Sequence, residues 1–245
     1  MMFARPSRAA RRLAGIAGLL AGAAVLSACS SPPSHFYTLT TDDTAATAST
    51  AATPALLIEV APVEVPPLVA KNQLVVQTGP TQVEVLEQER WASLPGDEIR
   101  RALSSDLTAQ LGAIDVYGTP YPEGVPLYRI KLNVQRFESW PGSHALIDAV
   151  WSVRSMRTQA VLTCRSLVNV PVTAGYDALT DGHRRAVQAI SKEIAAGVQA
   201  LAAAPQVRTA APAKGASSLT TNAPSGLVPC PSPVPAAASA SNGNG

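Results

Sequence analysis

The N-terminal stretch constrains this chain more than any other feature. Four arginines and no acidic residue precede an uninterrupted apolar run, Leu13–Ala28. A charged start, a short apolar run and small residues before a cleavage point are typical of a secretory signal peptide. The run is shorter than the roughly 20 apolar residues that a permanent membrane-spanning helix needs. We therefore expect residues 1–28 to be a signal peptide that is removed on export.

The apolar run ends in Leu26-Ser27-Ala28-Cys29, which resembles the lipobox cleaved by the lipoprotein signal peptidase. Lipidation requires a cysteine because a thiolate is nucleophilic enough to take up diacylglycerol. Cleavage then frees an α-amino group for a further acyl chain, and more than one chain makes anchoring durable. We expect Cys29 to be the lipidated residue. In similar lipoproteins of diderm bacteria, a serine after the cysteine, here Ser30, usually directs the protein to the outer membrane.

Composition divides the mature chain into three parts. Residues 29–54 are expected to form a lipidated tether, because Thr40–Pro54 is small, polar and low in complexity. A random coil of that length spans roughly 20 Å, so shortening it is expected to weaken docking near the membrane. Residues 55–203 suffice for one domain. Residues 204–245 are rich in Ala, Pro and Ser and are expected to be a disordered tail.

Periodic patterns predict an α/β fold. Alternation predicts strands and four-residue spacing predicts helices. The strands are expected at 56–60, 73–78, 82–87, 114–117, 127–137, 145–153 and 161–170, and the helices at 95–111 and about 177–203. Pro95 opens the first helix and Gly112 ends it. The last three strands read as an antiparallel meander with one solvated face, so we predict an α/β sandwich with a mixed β-sheet and at least two packing helices.

The three cysteines leave two alternatives. Lipidation of Cys29 leaves Cys164 and Cys230 as an even pair in an oxidising compartment. A disulfide between them would fasten the tail to the domain. Two free thiols would instead make Cys164 a small buried hydrophobic residue.

Charge excludes one class of partner. Without the four arginines of the signal peptide, 15 basic residues face 17 acidic ones, a net charge of −2. A nucleic-acid-binding domain would need a basic patch and a high pI. We therefore expect no nucleic-acid partner.

The sequence contains no catalytic or metal-binding motif: Gly-x-Ser-x-Gly, His-Glu-x-x-His and a phosphate-binding glycine loop are missing. His35 in the tether, His144 at a turn and His183 near the start of the last helix are scattered, and each is expected to be a solvated or half-buried structural residue. Asp97 and Glu98 are expected to interact with the helix dipole. We expect no cofactor, no metal and no enzymatic activity.

Trp91 has two possible roles. An exposed tryptophan concentrates binding energy, so Trp91 is a candidate partner-binding residue. Alternatively, it packs against the first helix.

An ordered set of short segments runs through the chain. They are Cys29-Ser30-Ser31-Pro32-Pro33, Phe36-Tyr37-Thr38-Leu39, Val60–Leu68, Glu89-Arg90-Trp91-Ala92, Asp97–Leu103 and Ser191–Ala195. Together they resemble the ABC-type transport auxiliary lipoproteins (PqiC/YmbA-like), over roughly Cys29–Leu201. The Thr/Ala-rich linker and the C-terminal extension with Cys230 depart from that pattern.

This resemblance implies a three-layer α/β sandwich and a non-catalytic component of a lipid transport system built on MCE proteins. The implied partners are a periplasmic MCE-domain protein and its inner-membrane permease, met at the outer membrane. It also implies self-association into a homo-oligomeric ring. Three alternatives stay open: a periplasmic lipid carrier, which would need a sizeable apolar pocket, a structural cell-envelope lipoprotein, and a periplasmic hydrolase.

Overall fold

The structure, a computed structural model, describes residues 32–40, 54–204 and 229–231. This part of the chain contains eight strands and two helices. In chain order they are β1 His35–Tyr37, β2 Leu57–Val60, β3 Gln73–Gly79, β4 Gln82–Trp91, α1 Pro95–Leu111, β5 Ile114–Asp115, β6 Leu127–Trp140, β7 His144–Ser155, β8 Val161–Pro171 and α2 Tyr176–Ala203.

Several sequence predictions fall outside the described residues. The signal peptide and the lipidation site Cys29 are among them, and so is most of the predicted linker, residues 41–53. The C-terminal tail is described only at residue 204 and at 229–231.

Helix α1 forms where the sequence predicts it. Its apolar stripe of Ile99, Leu103 and Leu107 is fully buried. Gly112 ends the helix in the left-handed conformation, at a φ of 57°, and its N–H donates to the carbonyl of Thr108. Glycine takes this conformation without a steric penalty, so the helix stops there and keeps one apolar face against the core.

The larger sheet has five strands in the order β5-β2-β6-β7-β8. Strand β2 pairs in parallel with β5 and β6, whereas β6, β7 and β8 pair antiparallel. The predicted meander is therefore confirmed, and the sheet is mixed. Alternate residues of β7 are buried on the face that carries α2, namely Ala145, Ile147, Ala149, Trp151 and Val153.

Two glycines let α2 lie close to this sheet. A Cβ at Gly182 would lie 2.4 Å from Cγ1 of Val172 and 3.0 Å from Cβ of Ala145. A Cβ at Gly197 would lie 3.2 Å from the ring of Trp151. Glycine at both positions removes the atom that would otherwise push the helix away from the strands.

The smaller sheet has three strands in the order β1-β4-β3. Strands β3 and β4 form the predicted hairpin, and β1 adds in parallel to β4, with His35 opposite Glu89 and Tyr37 opposite Trp91. The predicted tether, residues 29–54, is therefore wrong at residues 35–39, which belong to the folded domain. A strand of three residues is too short to show an alternating pattern, so the sequence does not reveal it.

The predicted α/β sandwich, with a mixed sheet and two packing helices, is confirmed, and its strands divide between two sheets. The helices also contact each other, and the hydroxyl of Ser191 on α2 donates to Asp106 on α1 at 3.1 Å. Among the described residues, neither helix combines the length and the hydropathy that spanning a bilayer requires.

Candidate functional site: the attachment of the N-terminal segment

Glu89 on β4 holds strand β1 through its side chain. Its carboxylate accepts a hydrogen bond from the Tyr37 hydroxyl at 2.6 Å, and its other oxygen lies 2.9 Å from Nδ1 of His35. The hydrogen bond from Tyr37 lowers the pKa of Glu89. Burial, followed by this hydrogen bond, raises the pKa of Tyr37. His35 is therefore an exposed residue of a paired strand and does not belong to a free tether.

Glu98, near the start of α1, holds the residues that follow β1, and its side chain is fully buried. One oxygen accepts from the N–H of Leu39 at 3.0 Å and from the hydroxyl of Thr38 at 2.8 Å. The other accepts from the N–H and the hydroxyl of Ser93, at 3.1 and 2.7 Å. Arg101, one turn along the helix, forms an ion pair with it. The expected helix-dipole role of Glu98 is thus extended, because Glu98 binds a segment about 60 positions away in sequence.

The charge of Glu98 reflects a balance of two effects. Burial raises its pKa, but hydrogen bonds from Ser93, Leu39 and Thr38, together with the charge of Arg101, outweigh that effect and leave the pKa lowered. The donors therefore meet a full negative charge, and such bonds are roughly twice as strong as neutral ones. Leu39 is itself 2% exposed and packs in the main core.

Residues 35–39, Glu89 and Glu98 form what we call the N-terminal attachment site. Its carboxylates accept hydrogen bonds from the chain itself, so the arrangement holds a segment in place and does not present these oxygens to a substrate. Sequence reasoning missed this site. The available signal was the aromatic pair Phe36-Tyr37, which interrupts an otherwise small and polar stretch.

The structure places Trp91 in the core. It is 3% exposed, and its ring meets those of Phe137 and His183 edge-on, with centroids 6.0 and 6.3 Å apart. A partner-binding anchor needs an exposed ring. This observation corrects the partner-binding interpretation of Trp91, whose ring packs against residues of β6 and α2.

His183 is more deeply buried than expected. It is 0% exposed, its ring stacks on Phe137 at 4.0 Å, and Nε2 lies 2.8 Å from the hydroxyl of Ser139. Within the described part of the chain, Nδ1 has no hydrogen-bond partner. Burial lowers the pKa of His183 to about 3, so the ring is neutral at physiological pH. The expectation of a solvated or half-buried residue is therefore corrected.

The histidines occupy three different surroundings. His144 begins β7, stacks on Trp140 at 5.7 Å and lies 2.9 Å from the hydroxyl of Ser143, whereas His35 is exposed and His183 is enclosed. Residues 32–40, 54–204 and 229–231 contain no group of three or more His, Cys, Asp or Glu side chains that could hold a metal ion.

Cys164 and Cys230 form a disulfide in the structure, with their Cα atoms 5.8 Å apart. Cys164 lies on β8, an edge strand of the larger sheet, and is 6% exposed. The sulfur of Cys230 lies 3.5 Å from the carbonyl oxygen of Thr163. The disulfide therefore fastens residues 229–231 to this edge of the sheet.

A shallow groove of about 480 Å³ lies over the larger sheet. Trp151 points towards α2, so its neighbour Ser152 points to the opposite face, where the groove opens. The lining is mixed. Its polar and charged residues are Glu64, Lys131, Asn133, Ser152 and Thr163, and its apolar residues are Ala61, Pro62, Leu132, Val150 and Trp151. The volume falls within the roughly 300–1,000 Å³ of ligand sites, but the charged side chains of Glu64 and Lys131 distinguish the groove from a largely apolar lipid cavity.

A family model described as "ABC-type transport auxiliary lipoprotein component" matches residues 37–195. The chain belongs to this family. The match spans well over half of the sequence, from β1 to the second half of α2, and the resemblance seen in the short segments is confirmed. The protein is thus a transport auxiliary lipoprotein, and its family implies a membrane-anchored location in the cell envelope. A comparison with curated proteins finds no match.

Solved structures resemble the fold. The crystal structure of an uncharacterized protein gives a TM-score of 0.55 at 19% identity and covers 68% of this chain and 99% of its own. A DUF330 protein from Xanthomonas campestris gives a TM-score of 0.46 at 17% identity, with 58% and 83% covered. The structure with the TM-score of 0.55 has the same fold as this chain over nearly its whole length. An identity of 19% supports a shared fold and nothing further.

Proposed function

We propose that this chain is a periplasmic lipoprotein, anchored in the outer membrane through Cys29, that acts as a non-catalytic docking component of an MCE-type intermembrane lipid transport system. Its partners in this proposal are a periplasmic MCE-domain protein, the inner-membrane permease of that system and further copies of the chain in a ring. The observation that carries the proposal is the N-terminal attachment site, taken together with family membership.

The attachment site gives a lipid anchor a short link to the domain. Strand β1 begins at His35, six residues after Cys29. An extended chain spans at most about 3.3–3.6 Å per residue, so the link reaches about 20 Å. A domain held that close to a bilayer has a fixed location, which suits a receiver better than a diffusing carrier. Ser30, which follows the cysteine, supports the outer membrane as that location.

The polar side chains of the domain support a non-catalytic role. Glu89 and Glu98 hold the chain itself, Asp148 accepts two hydrogen bonds from Arg165, and His183 is enclosed in the core. Because these groups maintain the fold, we expect the affinity for a partner to reside in a surface patch rather than in a catalytic residue.

A lipid carrier is the second candidate, and the groove of about 480 Å³ is the observation that favours it. A carrier needs a largely apolar cavity, whereas Glu64 and Lys131 bring charges to this groove. We therefore rank docking first. Lipid extraction and mass spectrometry of the purified protein would reverse the ranking if one phospholipid per chain were found and lost in Val150→Asp.

Crosslinking in living cells tests the docking proposal. The full-length chain carries a C-terminal affinity tag, the cells are crosslinked before lysis, and mass spectrometry identifies the captured proteins. We expect an MCE-domain protein with the unsubstituted chain and with the control His144→Ala. We expect its loss with Cys29→Ser, because the domain is then no longer held at the membrane. Incorporation of labelled palmitate into Cys29→Ser would contradict the anchor.

Envelope permeability gives an independent readout. Deletion of the chain, or Cys29→Ser, is expected to increase permeability to detergent, whereas His144→Ala should leave it nearly unchanged. His35 and His183 are unsuitable for this comparison because His35 contacts Glu89 in the attachment site and the ring of His183 is part of the core. If a folded and correctly localised His144→Ala variant reproduced the deletion phenotype, docking would be the wrong function and an enzyme the better one.

A further inference from the structure

The short link to the lipid limits which surface of the domain can meet the bilayer. This inference rests on the proposed function, since it takes Cys29 as lipidated. Five residues, 30–34, join that cysteine to β1, and they include Pro32 and Pro33, which are exposed and restrict the conformations of the link. With a reach of about 20 Å, the β1 end of the domain stays near the lipid headgroups.

Phe36 is the most exposed of the large hydrophobic residues in the described ranges, at 66%. It lies on β1 between His35 and Tyr37, whose side chains both contact Glu89. Because successive strand residues point to opposite faces, the ring of Phe36 points away from Glu89. A single exposed hydrophobic residue is common on soluble proteins. Phe36 differs because it lies on the strand that begins where the lipid link ends.

The arginines near Phe36 are paired with acidic residues and are therefore not free to bind an anionic lipid. Arg90, opposite Phe36 in the strand register, lies 3.6 Å from the carboxylate of Glu87 and donates to its carbonyl oxygen. Arg101 forms an ion pair with Glu98, which binds Thr38 and Leu39 just after β1. Both arginines have acidic partners within the chain, so the apolar ring, rather than charge, is suited to a bilayer of neutral phospholipid.

We propose that Phe36 inserts into the headgroup boundary of the bilayer that holds the acyl chains. Phenylalanine is among the apolar side chains that membrane-bound segments bury at this boundary, and the apolar area buried there adds to the affinity that the acyl chains provide. The link also makes the contact intramolecular, so its effective concentration is high. Lipid and ring together fix the orientation of the domain as well as its height above the membrane.

Tryptophan fluorescence in vesicles tests this contact. The full-length lipidated protein is reconstituted in phosphatidylcholine vesicles that contain a brominated lipid, which quenches nearby tryptophan. Phe36→Trp reports on the proposed contact, and Leu167→Trp, at a residue 60% exposed on β8, is the matched control. Emission of the unsubstituted protein corrects for its three tryptophans. We expect Phe36→Trp to lose intensity and shift to the blue, and Leu167→Trp to do neither.

Circular dichroism and flotation with the vesicles establish that both variants are folded and anchored. If Phe36→Trp floats but is quenched no more than Leu167→Trp, the membrane contact is wrong and the anchor stands. If the unsubstituted chain does not float, the anchor and the contact both fail. Loss of the quenching in high salt would also overturn the proposal, because an apolar contact is not screened by ions.

Discussion

Glu98 and His183 are both fully buried ionisable side chains, but their surroundings have opposite effects on charge. Backbone and hydroxyl donors surround the carboxylate of Glu98 and keep it ionised. The ring of His183 has one polar contact, with Ser139, and is otherwise enclosed by apolar groups. The contributions of Glu98 and His183 to the free energy of unfolding are therefore lost over different ranges of pH as the solution is acidified.

Replacing Glu98 with glutamine is expected to loosen the N-terminal segment. The amide offers one acceptor oxygen in place of two, so a buried donor such as the N–H of Leu39 loses its partner. An unsatisfied buried donor costs about 1–3 kcal/mol, and we expect Glu98→Gln to lower the free energy of unfolding by that amount. Urea denaturation followed by circular dichroism measures it.

Asp97→Asn is the matched control for this substitution. Asp97 precedes Glu98 on the same helix turn but is exposed, so its loss affects only the helix dipole, about 0.3–1 kcal/mol. Equal destabilisation by Glu98→Gln and Asp97→Asn would show that the buried hydrogen bonds to residues 38 and 39 contribute nothing.

His183 is expected to make the fold sensitive to mild acid. Its pKa is about 3 in the folded protein and about 6.5 in the unfolded chain. Below about pH 6.5 the histidine is protonated in the unfolded chain but stays neutral in the folded protein. Protonation therefore stabilises the unfolded state, and the free energy of unfolding falls as the pH is lowered. The expected loss between about pH 7.5 and about pH 5 is about 2 kcal/mol. Urea titrations at these pH values measure it.

The same titrations with His183→Gln isolate the contribution of the ring. This variant is expected to be less stable at neutral pH but to lack the acid-dependent part, since glutamine does not titrate. The carboxylates with lowered pKa, such as Glu98 and Asp148, lose their contributions only below their own unfolded pKa values, about 4. NMR titration of His183 near pH 6.5 in the folded protein would contradict this prediction.

At the scale of secondary-structure elements, the sequence predicts a helix or strand best when its pattern of apolar residues is long. Helix α1 is predicted to its ends because Pro95 and Gly112 mark both of them, and the long alternation of β6, β7 and β8 predicts the meander. Strand β1 carries no detectable period, and its parallel pairing with β4 depends on residues distant in sequence. The lipobox predicted at Cys29 depends only on a local motif, so a sequence alone can suggest it. The role of Glu98 is created by tertiary packing and is not.

The close approach of α2 to the larger sheet makes a specific prediction at Gly182. An alanine there would place its Cβ 2.4 Å from Cγ1 of Val172 and 3.0 Å from Cβ of Ala145. Overpacking of this kind costs about 1–3 kcal/mol, so we expect Gly182→Ala to lower the thermal midpoint. Adding Val172→Ala should recover part of the loss, because it removes the clashing methyl. A double variant no more stable than Gly182→Ala would refute this account.

The disulfide on β8 is expected to be present in the exported protein. Peptide mapping without reduction should find Cys164 joined to Cys230, and a reducing agent should lower the urea midpoint. The chain-entropy model for a sequence separation of 66 gives about 4 kcal/mol as an upper value. The reducing agent should have no effect on Cys230→Ala. Alkylation of both thiols without prior reduction would exclude the bond.

At the scale of the whole molecule, the attachment site and the proposed anchor at Cys29 together make residues 30–34, and not the linker after Leu39, the segment that would set the distance to the membrane. Leu39 and Leu57, on either side of residues 41–53, are both buried in the domain. Deleting residues 45–50 is therefore expected to leave docking unchanged, contrary to the expectation from sequence. Inserting a Gly/Ser segment of about 20 residues between Ser31 and Pro32 adds roughly 25 Å of reach and should weaken docking several-fold.

In-cell crosslinking yield and detergent permeability measure both changes. The deletion and the insertion are compared with the unsubstituted chain at equal abundance and localisation. If the deletion of residues 45–50 gave a phenotype and the insertion gave none, the segment after Leu39 would be the tether, as the sequence predicts.

With Cys29 anchored as proposed, the attachment site would also determine how the domain responds to mechanical load. A pull from the membrane enters at His35 and reaches the short ladder of β1 before it reaches Leu39 and Glu98. Ladder bonds at a sheet edge open in succession, whereas the buried leucine and the ionised carboxylate hold at the far end of the strand. Peeling the three residues of β1 would lengthen the link by about 10 Å without releasing the domain. In the proposed intermembrane role, β1 would therefore supply extra link length when the distance between the two membranes changes.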